Sequence, residues 1–334
     1  MPIALETMES QVLLPLRKLS GGLLRLADLA RTVPAQALLE ASLKLLDGLV
    51  PFDSAWWGEV SAGTAQVAPR NWLHGSLGLS KRFADEWNRL SMDDSFALQS
   101  IAHVGKVIRQ NNPVESASTT SDVEAFGHRH GLARCMAVTV EMPHTGLLFF
   151  VSVYRTTSRP AFSAQDEVMF GEFVSHLLQH WRHALEQLQA TAPSEPWDGH
   201  ALADQTGSLL FIGIRIGLAL KSAYPGWSGT ELPEALLGAL SKLPCSFVAG
   251  RSARLRMEPC GSYVAISLAK NHHRSPLSPR ELGAAMHYAN GRSSKEIAAE
   301  LGLTPATVRT YLRSTYLRLG VRNKVELQAA LRKP

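Results

Sequence analysis

Apolar positions along this chain change period several times, and each change marks an expected element. From Glu6 to Arg31 leucines recur among charged residues at helical spacing, which predicts an amphipathic helix with a break near Gly21-Gly22. Pro34 to Leu49 predicts a second helix. Phe52 to Val60 and Ala65 to Leu73 read as strands, Ser80 to Leu90 and Asp93 to His103 as helices, and Lys106 to Gln110 as a short strand. A helix follows over Ser121 to His130. The alternating runs Arg134 to Glu141 and Leu147 to Arg155 predict a hairpin turned by Pro143 to Gly146. Ser163, with Asp166 and Glu167 in the first turn, caps a long helix reaching Gln189.

Beyond the proline-rich stretch Thr191 to Gly199 the pattern starts again on a smaller scale. Leu209 to Ile214 predicts a strand, Leu232 to Leu243 a helix, and Arg251 to Glu258 with Ser262 to Ala269 a second hairpin. A polar linker, Asn271 to Pro276, separates this from a final helical segment. There Ser278-Pro279-Arg280-Glu281 and Ser293-Ser294-Lys295-Glu296 are capping boxes, and Thr304-Pro305 opens a third helix. Leu282, Ala285, Met286 and Ala289 are expected on the inner face of the first helix. Ile297, Ala298 and Leu301 are expected inside the second, and Val308, Leu312 and Leu319 inside the third. Gly291 and Gly302 stop the first two, Gly320 to Asn323 ends the third, and Lys324 to Leu331 forms a fourth. The expected division is a helical segment over 1-33, a sensor domain over 34-190, a small module over 200-270 and the terminal domain over 277-334.

Charge adds to this picture only when it is divided. The net +5 resolves into +6 from residue 277 onward, ten Lys or Arg against four acids, and −1 over the preceding 276 residues. A compact basic domain beside a neutral one points to a polyanion partner, most often nucleic acid. Three cysteines, Cys135, Cys245 and Cys260, form no C-x-x-C pair and fit a reducing cytoplasm. The charged residues among the first thirty exclude an unbroken secretory signal core. The apolar run Gly207 to Leu220 is broken by Arg215 and is too short for a bilayer, so no membrane is expected.

Two short helices joined at a glycine, the second longer and basic, make a helix-turn-helix, whose recognition helix fits the major groove while its partner braces it. Leu277-Ser278, Arg280-Glu281, Ala289, Gly291, Lys295-Glu296-Ile297-Ala298, Leu301, Thr307-Val308-Arg309 and Leu319-Gly320-Val321 together resemble the LuxR-type (NarL-type) DNA-binding domain. Departures are Gly283-Ala284 where an aliphatic pair is usual, Tyr311 where histidine is frequent, and Asn323-Lys324 in place of an arginine-bearing pair. The resemblance puts Arg309, Thr310 and Arg313 toward the groove, and their i, i+1, i+4 spacing avoids the apolar face. Lys295, Thr304, Arg318 and Lys324 are the expected phosphate contacts.

The preceding order of elements resembles a GAF-type sensor, followed by a reduced PAS-like module. The fold class expected is therefore α+β and multidomain, a GAF/PAS-like sensor region followed by an all-α four-helix LuxR-type domain. No phosphate loop, receiver-type acidic pocket or catalytic frame is present, so neither an enzyme nor control by phosphorylation is expected, and no cofactor. Four of the seven tryptophans, Trp56, Trp57, Trp72 and Trp87, fall within 32 residues and are expected to line a pocket for a small, mostly apolar effector. One of Trp56 and Trp57 should face the core.

Two other readings stay open. The acyl-homoserine-lactone receptors of this family share Trp87 and an acidic residue at Asp93-Asp94, but their Asp-Pro pair and tyrosines are missing here. A partner protein could instead drive the regulator. His176, His180 and His183 share one face of the long helix, a spacing suited to a metal, a pH switch or plain exposure. Expected partners are a double-stranded DNA operator with an inverted repeat, a second copy of the chain and, for an activator, RNA polymerase.

Overall fold

The computed structural model describes residues 2–64, 66–111, 121–142, 144–189, 197–249, 253–268, 277–319, 321 and 323–332. Residues 1–268 and 269–334 form two compact units. No helix among the described residues is long and apolar enough to cross a membrane.

The first unit opens with α1 (Pro2–Thr32) and α2 (Ala35–Asp47), then β1 (Ser54–Ser61), β2 (Arg70–Leu77), α3 (Phe83–Leu90), α4 (Ser95–Ala102), β3 (Val107–Gln110) and α5 (Asp122–His130). The hairpin β4 (Arg134–Met142) and β5 (Leu147–Arg155) leads into α6 (Ala164–Gln189). These strands make an antiparallel sheet in the order β2-β1-β5-β4-β3. β6 (His200–Ala203), β7 (Leu209–Ile212), α7 (Ile214–Ala223), α8 (Glu234–Leu237), β8 (Cys245–Ala249), β9 (Ala253–Cys260) and β10 (Tyr263–Leu268) follow. Their sheet runs β7-β6-β10-β9-β8, the same order restarted from β6. The smaller module is thus a full second copy of the sheet topology rather than a reduced one.

Both faces of the first sheet are covered. Ala55, Trp57, Met136, Val138, Phe149, Val151 and Val153 pack with Leu26 of α1, Leu38, Leu43 and Leu46 of α2, and Phe170, Phe173, Leu177 and Trp181 of α6. The other face carries Trp56, Val60, Phe150 and Tyr154 against Phe83, Ala84 and Trp87 of α3 and Phe126 of α5. Trp56 and Trp57 are therefore both buried, each on its own face. The expectation that only one would face a core assumed a sheet with one wet side. The second sheet contributes Leu202, Leu210, Tyr263 and Ala265 to the α6-side core. Its other residues, with α7, enclose Trp72.

Several boundaries differ from expectation. α1 runs unbroken through Gly21-Gly22, because Gly22 is where the helix meets Leu49; a Cβ there would lie 2.5 Å from Leu49 Cδ1. β2 starts at Arg70 rather than Ala65, because a tight Thr64–Val67 turn takes up the residues before it. The apolar run at Leu209 divides at Gly213 into β7 and α7, and only the first half had been expected. The helix expected over Leu232 to Leu243 is two short pieces, α8 and a 3-10 turn at Leu240–Lys242. Residues 191–196 and 271–276, the expected linkers, lie outside the described residues apart from Trp197–Gly199, which is a 3-10 turn.

Candidate nucleic-acid interface and sensor cavities

The second unit is four helices, α9 (Pro279–Ala289), α10 (Ser294–Leu301), α11 (Pro305–Leu319) and α12 (Lys324–Arg332). Both capping boxes form, Ser278 with Glu281 and Ser293 with Glu296. Gly302 ends α10 in the left-handed region at φ 64°, where only glycine is unstrained. Thr304 Oγ1 accepts from the Thr307 N–H at 3.2 Å and starts α11. Ala284, Ile297, Ala298, Val308 and Leu312 close a small core, with Leu301 packed against it.

One face was misassigned from sequence. Leu282 and Met286 are exposed, and the inner stripe of α9 is Glu281, Ala284, Ala285 and Ala289. The stripe turns by one residue because Glu281 has structural work beyond its own helix. One carboxylate oxygen accepts from the Ser278 N–H at 2.8 Å, and the other accepts from Ser314 Oγ on α11 at 2.7 Å. Replacing Glu281 by alanine removes the acceptor of the part-buried Ser278 N–H and Ser314 hydroxyl and should cost roughly 1–2 kcal/mol locally. Hydrogen exchange of the α9 and α11 amides in the full chain measures this. Unchanged protection would show that the bridge carries no stability.

Arg309, Thr310 and Arg313 all lie exposed on α11, as does Lys295 on α10. No ion pair engages Arg309, Arg313 or Lys295 among the described residues, whereas Arg292 and His287 are held by Glu300. Thr310 Oγ1 donates to the Ala306 carbonyl at 3.1 Å, which leaves its methyl group as the free feature. Thr304 is exposed at the start of the helix. Lys324 is half-buried, its ammonium 5.0 Å from the Tyr288 ring centroid. The side chain of Arg318, and residues 320 and 322, lie outside the described residues. Sequence reasoning missed Thr315, fully buried on the 308–312–319 stripe, its hydroxyl donating to the Tyr311 carbonyl. The i, i+4 spacing from Tyr311 could have shown it.

Trp56, Trp57, Trp72 and Trp87 do not share one pocket. Trp56 and Trp87 meet edge to face at 5.1 Å on the α3–α5 side. They border a cavity of about 40 Å³ with Asp94, Ser100 and Thr139. A neighbouring space of about 360 Å³ shares Trp87, Asp94, Phe96 and Tyr154. Trp87 Nε1 donates to Asp94 Oδ2 at 2.8 Å, while Asp94 Oδ1 caps α4 at the Ala97 N–H. Ser100 and Thr139 hydroxyls pair at 2.8 Å. Trp57 borders a different cavity on the opposite face, and Trp72 is packed against Gly217 of α7. His176, His180 and His183 line an open groove along α6. Burial, then its two histidine neighbours, lowers the His180 pKa. No group of three metal-ligating side chains forms among the described residues.

Comparisons with known proteins bear on the second unit. Residues 275–330 match the family described as bacterial regulatory proteins, luxR family. Transcriptional regulatory protein UhpA of Escherichia coli (strain K12) is 47% identical over 64 residues, which is 19% of this chain and 32% of UhpA. The chain thus spans about a third of the length of that curated relative. Among solved structures, Escherichia coli SdiA is 11% identical, with 90% of this chain and 91% of that chain covered and a TM-score of 0.35. The GAF domain of a phosphoenolpyruvate-protein phosphotransferase from Coxiella burnetii is 13% identical, with 51% and 96% covered and a TM-score of 0.37. With the capping boxes, the glycine turn and the basic third helix in place, residues 275–330 are a LuxR-family helix-turn-helix domain.

Proposed function

We propose that this chain is a transcription regulator: residues 277-334 bind double-stranded DNA, and residues 1-33, 34-190 and 200-270 form the region that senses an effector. The observation that carries this reading is α11, which presents Arg309, Thr310 and Arg313 to solvent with neither arginine in an ion pair among the described residues. Each guanidinium can make two hydrogen bonds to a guanine edge, and the Thr310 methyl suits a thymine. Lys295, Thr304, Arg318 and Lys324 fix the domain on the phosphates. The match to a transcriptional regulatory protein over the same segment supports the assignment.

The effector is a small, mostly apolar molecule bound on the α3–α5 face of the first sheet. Trp56 and Trp87 supply apolar wall there, and Asp94, Ser100 and Thr139 supply the few polar groups that orient a ligand. It acts by binding one arrangement of the sensor region more tightly than another. The chain performs no catalysis, and RNA polymerase joins the complex where the regulator activates.

The regulator works as a homodimer, because one such domain covers too few base pairs for genomic discrimination. Selection of random DNA by the full-length protein should recover an inverted repeat with half-sites about one helical turn apart. Light scattering on the complex should show two chains per site. A single chain on an asymmetric site would overturn the dimer, and no selection at all would overturn the regulator.

A further inference from the structure

Glu59 is the carboxylate least accounted for in the first unit. It sits on β1, in the interior of the first sheet, and is buried. The Ile212 backbone N–H donates to it, and Oε2 has no partner among the described residues. Carboxyl groups are not left half-satisfied inside proteins without a reason. Burial pushes this one up to about 8.

Glu59 borders a cavity of about 220 Å³ between the two sheets, α2 and α6. Trp57, Trp181 and Tyr263 also line it, and Trp181 Nε1 has no partner among the described residues. Trp57 holds its place because Gly75 faces it across β2; a Cβ at Gly75 would lie 2.4 Å from the indole. The lining includes two further carboxylates and His74, whose pKa burial lowers, and no lysine or arginine. Glu40 is exposed and paired with Lys44, and Asp204 Oδ1 accepts from the Thr206 and Ser208 N–H groups. Glu59 is the one of the three that is fully buried with an oxygen unpartnered among the described residues.

We propose that this cavity binds a small organic cation, an alkylammonium group paired with Glu59 and enclosed by Trp57, Trp181 and Tyr263. Aromatic side chains around a carboxylate are the combination that attracts an ammonium bearing apolar substituents, because ring quadrupole and carboxylate act on the same charge. At about 30 Å³ per liquid water the cavity corresponds to roughly seven waters, which suits a short alkylammonium. It lies on the opposite face of the sheet from the Trp56–Trp87 wall, so it is a site separate from the one proposed for the apolar effector.

Titration of the full chain with choline chloride at pH 9, above the raised value of Glu59 so that its carboxylate is ionised, followed by tryptophan fluorescence and calorimetry against a sodium chloride control, tests this. Saturable binding is expected. Dimethylbutanol, the uncharged carbon isostere of choline, should bind about tenfold more weakly or not at all. Glu59→Gln, which keeps the shape and removes the charge, should lose about the same factor. Equal binding of choline and dimethylbutanol would make the cavity merely apolar and overturn the proposal. So would the absence of saturable choline binding to the wild-type chain, a measurement that needs no variant to fold. Neither result touches DNA binding or the effector site.

Discussion

Replacing both Arg309 and Arg313 by alanine is expected to remove specific DNA binding by the full-length chain while leaving its fold intact. Both side chains are exposed on α11 and contribute nothing to the small core formed by Ala284, Ile297, Ala298, Val308 and Leu312. A bidentate arginine–guanine contact is worth roughly 1–3 kcal/mol of discrimination, so the pair accounts for roughly 2–6 kcal/mol. At about 1.4 kcal/mol per decade that is a loss of about thirtyfold or more. The loss should fall on the selected site and far less on random DNA, with the salt slope reduced by no more than the phosphates these residues touch. Lys324→Ala should behave in the opposite way, weakening all DNA alike. It should also cost a little stability, because its ammonium lies over Tyr288. Quantitative footprinting at two salt concentrations separates the two patterns. Full affinity for the selected site in the double variant would remove α11 from the groove.

What was legible in the sequence was local chemistry. Ser278 with Glu281 and Ser293 with Glu296 read correctly because a capping box closes within four residues. Ser121 with Glu124 makes a third such box at the start of α5, where the sequence pattern predicts only a helix start. What failed depended on distant partners. Glu281 belongs to the buried stripe of α9 because Ser314, 33 residues away, donates to it, and no pattern inside α9 signals that. The glycines of α1 read as a break, yet the closeness of Gly22 to Leu49 decides the matter. The tryptophans read as one cluster because they are near in sequence. Alternation along β1 sends Trp56 and Trp57 to opposite faces, and Trp72 is drawn to α7, an element hidden inside an apolar run. Glu59 escaped attention for a similar reason: among the apolar residues of β1 it reads as the polar side of an alternating strand. Only the second sheet, which supplies the Ile212 N–H, shows that this side is buried.

That burial has a consequence for stability. In amine-free sodium chloride buffer, the first unit should become less stable as the pH rises from 6.5 to 8, and Glu59→Gln should abolish the decline. The ordinary value for the group is 4.5, and burial raises it to about 8 in the folded chain. Below 4.5 both folded and unfolded chains hold the proton, and the stabilising contribution is complete. Between the two values the folded state keeps a proton that the unfolded state has released, so stability falls at roughly 1 kcal/mol per pH unit. Above about 8 the loss is complete. His74 and His180 act in the opposite direction: burial lowers their values, so they stabilise as pH rises through 6.5, a slope that fades by about 7.5 and is shared by the Gln variant. Asp53, lowered although burial opposes it because Thr156 and Arg159 hydrogen-bond its carboxylate, acts only at acid pH. The difference between wild type and the Gln variant over 6.5 to 8 therefore isolates Glu59 among these groups. All seven tryptophans lie in residues 56–227, so urea unfolding followed by indole fluorescence reports the first unit alone. The wild-type midpoint should drop across the interval by an amount on the order of 2 kcal/mol relative to the Gln variant, which does not fall. Parallel curves for the two proteins would mean that Glu59 titrates as an ordinary carboxylate and that water reaches the cavity freely.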